Sequence, residues 1–232
     1  MLRYSYGFDP TYILLVPALI ISFWAQAKVN SAFNKYKQVR IMNGYTGEEV
    51  ARQILNGAGL YDTPIEMVNT RLGDHYDPVN RVLRLSKEVY NGSTIAAAGI
   101  AAHEVGHAIQ HKENYGPLSF RNSIFPIVNI SSNLSWVIFL AGIVMSIRPL
   151  VSLGIIMFSV VVLFQIITLP VEFNASNRAL NILENRGIIY GEELKGAKKV
   201  LDAAAMTYVA AAIMSISQLI RLLAISGRKN NE

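Results

Sequence analysis

Four long stretches without a single charged residue constrain this chain more than any other feature. They cover residues 10–27, 122–147, 149–171 and 203–220. Each approaches or exceeds the ~20 apolar residues that cross ~30 Å of hydrocarbon as a helix. A chain with four such runs buries them in a bilayer. Composition agrees: 16% of residues are charged, against about 25% in a soluble domain. The first run has no basic stretch before it beyond Arg3 and no small-residue cleavage site before Lys28, so it reads as a retained anchor rather than a signal peptide. Only Arg148 and Pro149 separate the second and third runs, which predicts a tight helical hairpin. The stretch "NISSNLS" in the second run is polar for a lipid-facing helix, which suits an interface or the lining of a cavity. Arg221 falls near the end of the fourth run, where a long side chain is expected to snorkel to the headgroups.

The formal net charge is +5. The basic residues cluster beside apolar runs, which assigns them to orientation in a membrane rather than to nucleic acid. If every run spans, the polar segments 28–121 and 172–202 lie on one side. Lys28, Lys35, Lys37 and Arg40 belong to the first. Arg178, Arg186, Lys195, Lys198 and Lys199 belong to the second. Arg3, Arg148, Arg228 and Lys229 fall on the other side. The positive-inside rule then puts the polar segments in the cytoplasm and both termini outside. The expected organisation is an anchor (1–27), a cytoplasmic domain (28–123), a transmembrane hairpin (124–171), a cytoplasmic helix (172–202), a last transmembrane helix (203–226) and a tail (227–232). The fold class is mostly α, with a small α+β core. The chain has no cysteine, which excludes disulfides, thiolate ligands and a cysteine nucleophile.

Within the first polar segment, "TGEEVARQILNGAGL" predicts an amphipathic helix. Thr46 caps it, Val50, Ile54 and Leu55 point inward, and Gly57 and Gly59 close it. "IEMVNTRLGDHYDPVNRVLRLS" alternates apolar and polar residues, which predicts two strands joined by a turn at Pro78. "STIAAAGIAAHEVGHAIQH" predicts a helix capped by Ser93 or Thr94.

That last segment carries the chemistry. His103 and His107 are four apart, so a helix stacks them on one face, one turn apart. Two imidazoles so placed can bind one Zn²⁺. Glu104 flanks the same face, where it can act as a base toward water whose pKa the ion lowers to about 7. The plain alternative is a polar stripe on an amphipathic helix, but residues 96–102 are almost wholly small and apolar. Catalytic zinc commonly takes three protein ligands. His111 lies about 12 Å along the helix axis from His103, too far for all three rings to converge. The pattern with a later histidine on the same segment also fails, because Gln110 and Glu113 stand where glycine and histidine are needed. A donor must come from elsewhere, and "LPVEFNASNRALNILENRG" offers Glu172. It would lie at the start of a helix from about 171 to 186, where an acid could equally serve the helix dipole.

These residues resemble the YugP family of bacterial membrane zinc metallopeptidases. The resemblance covers nearly the whole chain. It rests on "DHYDPVNRVLRLSKEVYNGSTIAAAGIAAHEVGHAIQH" and "LPVEFNASNRAL". A weaker likeness runs to the HtpX and CaaX-prenyl-protease group. The resemblance implies a gluzincin-like core, Zn²⁺ held by His103, His107 and Glu172, and Glu104 as base. It implies a peptide or membrane-protein substrate. Asn174 and Ser176 stand where the family and its relatives carry Asp, so a carboxylate behind a histidine ligand is not assured here, although Asn174 can still accept a hydrogen bond. In such folds an edge strand before the metal helix can pair with extended substrate, a role "RVLRLS" could take if it is not an ordinary sheet strand. His75, Tyr76 and Tyr208 are candidates to stabilise an oxyanion. The alternative function is a membrane scaffold that keeps a structural metal; Glu104 argues against it, because a structural site needs no base.

Overall fold

The computed structural model describes residues 9–70 and 72–229, except the side chains of Arg228 and Lys229. Arg3, the charges of Arg228 and Lys229, and the end of the tail therefore lie outside the described residues. The chain is a mostly α membrane protein with a small α+β core. A 3₁₀ turn at Pro10–Leu15 leads into α1 (Val16–Tyr36). Then come α2 (Gly47–Gly57), β1 (Ile65–Val68), β2 (His75–Asp77), β3 (Val82–Ser86), the short α3 (Lys87–Tyr90) and α4 (Ile95–Lys112). Three long helices follow: α5 (Gly116–Val144), α6 (Arg148–Asn185) and α7 (Glu192–Lys229). Four helical stretches are long and apolar enough to cross a membrane: Pro10–Tyr36, Gly116–Val144, Arg148–Asn185 and Glu192–Gly227.

The chain divides into two compact units. One takes the chain up to Trp24, Ser123–Ile167 and everything from Tyr208. Its core gathers Phe139, Val151, Phe158, Val162 and Leu222. The expected hairpin of α5 and α6 is tight because glycines let the helices touch. A Cβ on Gly154 would sit 2.8 Å from the Phe139 backbone nitrogen, and one on Gly142 would sit 2.6 Å from that of Val151. Ser131 and Ser135 of the polar stretch turn inward and are buried. Ser132 and Asn133 face outward and bond back to the Asn129 carbonyl, which spares lipid an unsatisfied polar group. Arg221 departs from the snorkelling expectation. It is buried, donates to Thr11 Oγ1 at 3.1 Å and to Asp9 Oδ2 at 3.2 Å, and lies over the Tyr12 ring at 3.8 Å. A carboxylate, a hydroxyl and an aromatic face at the start of the chain's first apolar run replace the headgroups as its partners.

The other unit takes Ala25–Asn122 and Thr168–Thr207. Both polar segments of the sequence thus fold into one body. At its entry α2 carries a complete capping box: Thr46 Oγ1 accepts from Glu49 N, and Glu49 Oε2 accepts from Thr46 N. Val50, Ile54 and Leu55 are fully buried on its inner face. Gly59 sits at φ +66, a left-handed conformation that suits glycine after a helix. The core is centred on α4, with Thr94 as its cap. Ala96, Ala97, Ala98, Ala101, Ala102 and Ala108 are buried, and their small volume lets other helices approach closely. Gly99 faces Ala197 of α7. A Cβ at Gly106 would sit 2.8 Å from the Ala175 carbonyl oxygen of α6.

Two expectations are corrected here. The sheet has three strands in the order β1-β3-β2. The turn after Pro78 joins β2 to β3 as an antiparallel pair, and β1 adds in parallel on the far side of β3. "RVLRLS" is therefore the inner strand; β1 and β2 are the edges. The alternation pattern could not reveal the order, because parallel pairing of β1 depends on packing against α2 and α3. Glu172, moreover, does not start a helix. The α6 helix runs unbroken through Pro170, and Glu172 lies deep within it. The dipole role is excluded, since the field of a helix end fades within one turn. Proline is tolerated in such helices when neighbouring groups compensate for the lost amide.

Candidate metal centre

The site is assembled from α4 and α6, both within the second unit. His103 and His107 project from one face of α4, with their Nε2 atoms 3.2 Å apart and their rings edge to face. Glu172 of α6 brings its Oε2 to 3.3 Å from His103 Nε2 and 3.5 Å from His107 Nε2. Donors about 2.0–2.2 Å from a tetrahedral zinc are separated by about 3.3–3.6 Å. The three spacings match that geometry. Glu172 Oε2 is buried without a hydrogen-bond partner, an arrangement that is costly unless a cation is shared there. This is the one group of three such donors among the described residues.

The outer ring nitrogens are tied down. Gln110 Nε2 donates to the Val171 carbonyl at 2.8 Å and to Asn174 Oδ1 at 2.9 Å. A carbonyl can only accept, so the Gln110 amide has a single orientation, with Oε1 facing His107 Nδ1 at 3.0 Å. His107 must then carry its proton on Nδ1, which leaves the Nε2 lone pair aimed at Glu172. His103 Nδ1 meets Ser176 Oγ at 3.1 Å. Arg178 Nε donates to Asn174 Oδ1 at 2.7 Å and pairs with Glu113. Ser176 thus supports one histidine directly, and Asn174 supports the other through Gln110. His107 is held above the usual histidine pKa. Burial opposes its charge, but the Glu172 and Glu104 carboxylates outweigh that penalty.

Glu104 is buried beside the pair on α4, and its Oε2 accepts from the Tyr76 backbone nitrogen at 3.2 Å. The edge strand β2 therefore orients the carboxylate. The Tyr76 hydroxyl lies 2.9 Å from His111 Nδ1; burial pushes this phenol's pKa up. His111 is thereby engaged with β2 and stands outside the donor cluster. His75 faces the other way on β2: its ring nitrogens meet the Gly73 carbonyl and Arg84. Tyr208 belongs to the first unit.

Three residues escaped the sequence reading. Gln110 is a fully buried polar residue one turn past His107, and its position in an apolar helix was the available signal. Asp74 receives Ser86 N at 2.7 Å and Ser86 Oγ at 3.1 Å, joining the start of β2 to the end of β3. Burial, with help from nearby Glu104, raises its pKa. Arg121, from the first turns of α5, places Nη1 3.2 Å from Glu172 Oε1. Nothing in the sequence around Arg121 points to that contact.

Residues 11–227 match the family described as "Putative neutral zinc metallopeptidase". The chain belongs to this family. It is 52% identical over 220 residues to the "Putative membrane protease YugP" of Bacillus subtilis (strain 168), covering 94% of this chain and 98% of that protein. No solved structure matches the chain. Zinc is the metal the family implies, and the donor set of two imidazoles and one carboxylate fits it.

Proposed function

We propose that this chain is a zinc-dependent endopeptidase of the membrane that hydrolyses peptide bonds at the cytoplasmic face. The observation that carries the reading is the convergence of His103 Nε2, His107 Nε2 and Glu172 Oε2 beside a buried glutamate that is not part of the donor group. His103, His107 and Glu172 would hold the ion. Bound there, zinc supplies a Lewis acid that polarises a carbonyl and makes water acidic enough to be deprotonated near neutral pH. Glu104 takes that proton on its carboxylate and returns it to the leaving amine. The Tyr76 N–H keeps the carboxylate turned toward the reaction centre. Gln110 keeps the His107 imidazole in the tautomer that exposes Nε2, and Ser176 holds the orientation of the His103 ring. An extended peptide or membrane-protein segment would lie along β2, beside Glu104.

A structural zinc site usually has four protein ligands. Three donors converge here among the described residues, and a base stands beside them. Both features favour catalysis over a scaffold with a retained metal. The test is Glu104→Gln. It should keep close to one zinc per chain and lower hydrolysis of a peptide substrate about 10²–10⁴-fold. Full activity in that variant would overturn the mechanism. His103→Ala and His107→Ala should instead lose the metal.

A further inference from the structure

The two oxygens of Glu172 have different neighbours. Oε2 faces the two histidine nitrogens, and Oε1 faces Arg121 Nη1 at 3.2 Å. A carboxylate left to itself can approach a zinc ion with one oxygen or with both. Arg121 removes that choice by occupying Oε1. Its backbone belongs to α5, whereas Glu172 belongs to α6 and the histidines to α4, so three helices fix this one group. The arginine side chain is about a quarter exposed, but the carboxylate it meets is only 5% exposed. A charged hydrogen bond at such a position is stronger than its surface counterpart.

We propose that Arg121 is a positioning residue of the metal site. By holding Glu172 Oε1 it limits Glu172 to one ligating oxygen and keeps a coordination position free for substrate chemistry. The inference rests on the zinc reading above and adds to it a residue that is not itself a ligand.

The test uses the full chain in detergent or nanodiscs, loaded with Co²⁺ in place of zinc, because cobalt's visible absorption is intense in four-coordinate sites and weakens as coordination number rises. Arg121→Met retains an apolar stem without a donor. Arg121→Lys retains a single charged donor, which matches the single contact seen. Arg121→Met should show a weaker, shifted band and a zinc affinity lowered about 10–100-fold, the usual cost of losing a partner behind a ligand. Arg121→Lys should recover most of both. Far-UV circular dichroism checks that each variant is folded. A spectrum and affinity for Arg121→Met equal to those of the unsubstituted protein would overturn the proposal, and so would equal impairment of the Met and Lys variants. If the unsubstituted protein bound neither cobalt nor zinc, the zinc reading itself would fail, which is a separate and recognisable result.

Discussion

Glu172 and His111 show how much a single side chain's direction matters. His111 follows the histidine pair on the same helix, and Glu172 comes from another. His111 Nδ1 is engaged with the Tyr76 hydroxyl, and Glu172 Oε2 faces the histidines without a hydrogen-bond partner. Glu172→Ala should therefore lower zinc content sharply and abolish hydrolysis. His111→Ala should leave the metal bound. Metal analysis of the two purified variants checks this, and loss of zinc in His111→Ala alone would reverse the assignment. Gln110 acts at the same scale. Replacing it with leucine removes the acceptor for His107 Nδ1–H and leaves the Val171 carbonyl without this donor. Zinc affinity should fall about 10–100-fold in a competition titration with a chelating dye. An affinity within twofold of the unsubstituted protein would mean that His107 is oriented by packing alone.

Among the elements, the contact of α4 with α6 decides whether the ligands meet at all. It depends on Gly106, one residue before His107. A methyl group there would lie 2.8 Å from the Ala175 carbonyl oxygen, and backbone on backbone cannot yield by rotating a side chain. Gly106→Ala should cost about 1–3 kcal/mol through overpacking and should weaken zinc binding by moving α6. Gly116→Ala is the matched control, because nothing lies within 4 Å of its added methyl. Thermal unfolding of both variants, with and without zinc, separates the effects. Equal melting temperatures for the two would remove the close approach as an organising contact. The sheet matters at this scale too. With β3 inside and β2 at one edge, the residue that orients Glu104 lies on an edge strand.

For the molecule as a whole, orientation in the membrane is the open physical question. The basic residues Lys28, Lys35, Lys37, Arg40, Arg178, Arg186, Lys195, Lys198 and Lys199 all fall in the unit that contains the metal centre. The positive-inside rule then expects that unit in the cytoplasm. The chain has no cysteine, so introduced ones report without background. Tyr61 and Tyr190 are exposed on this unit, and Met145 is exposed at the α5–α6 turn. Tyr61→Cys and Tyr190→Cys should react with an impermeant maleimide only from the cytoplasmic side, and Met145→Cys only from outside. Labelling of all three in the reverse sense would invert the protein and place the chemistry outside the cell. Labelling of Tyr61→Cys and Tyr190→Cys from opposite sides would contradict a single unit.

The sequence by itself determined the features set by local pattern. Four uncharged runs fixed the membrane helices because length and hydrophobicity suffice in hydrocarbon. The Thr46 cap followed from local residue type, which left the cap of α4 between Ser93 and Thr94; the inner face of α2 and the pairing of His103 with His107 followed from helical periodicity, in which residues four apart share a face. Tertiary structure alone decided what depends on distant segments meeting. The order β1-β3-β2 was hidden because alternation records which face is buried, not which strand is the neighbour. The inward turn of Arg221 was hidden because its partner Asp9 is 212 residues away. The unbroken α6 was hidden because proline reads locally as a helix breaker, although packing overrides it. The network of Gln110, Asn174, Ser176 and Arg121 was hidden for the same reason as the sheet order: hydrogen bonds between helices leave no period in the chain. Local spacing could place two nitrogens beside each other, but only packing of α4, α5 and α6 could bring a carboxylate to them and hold it by one oxygen.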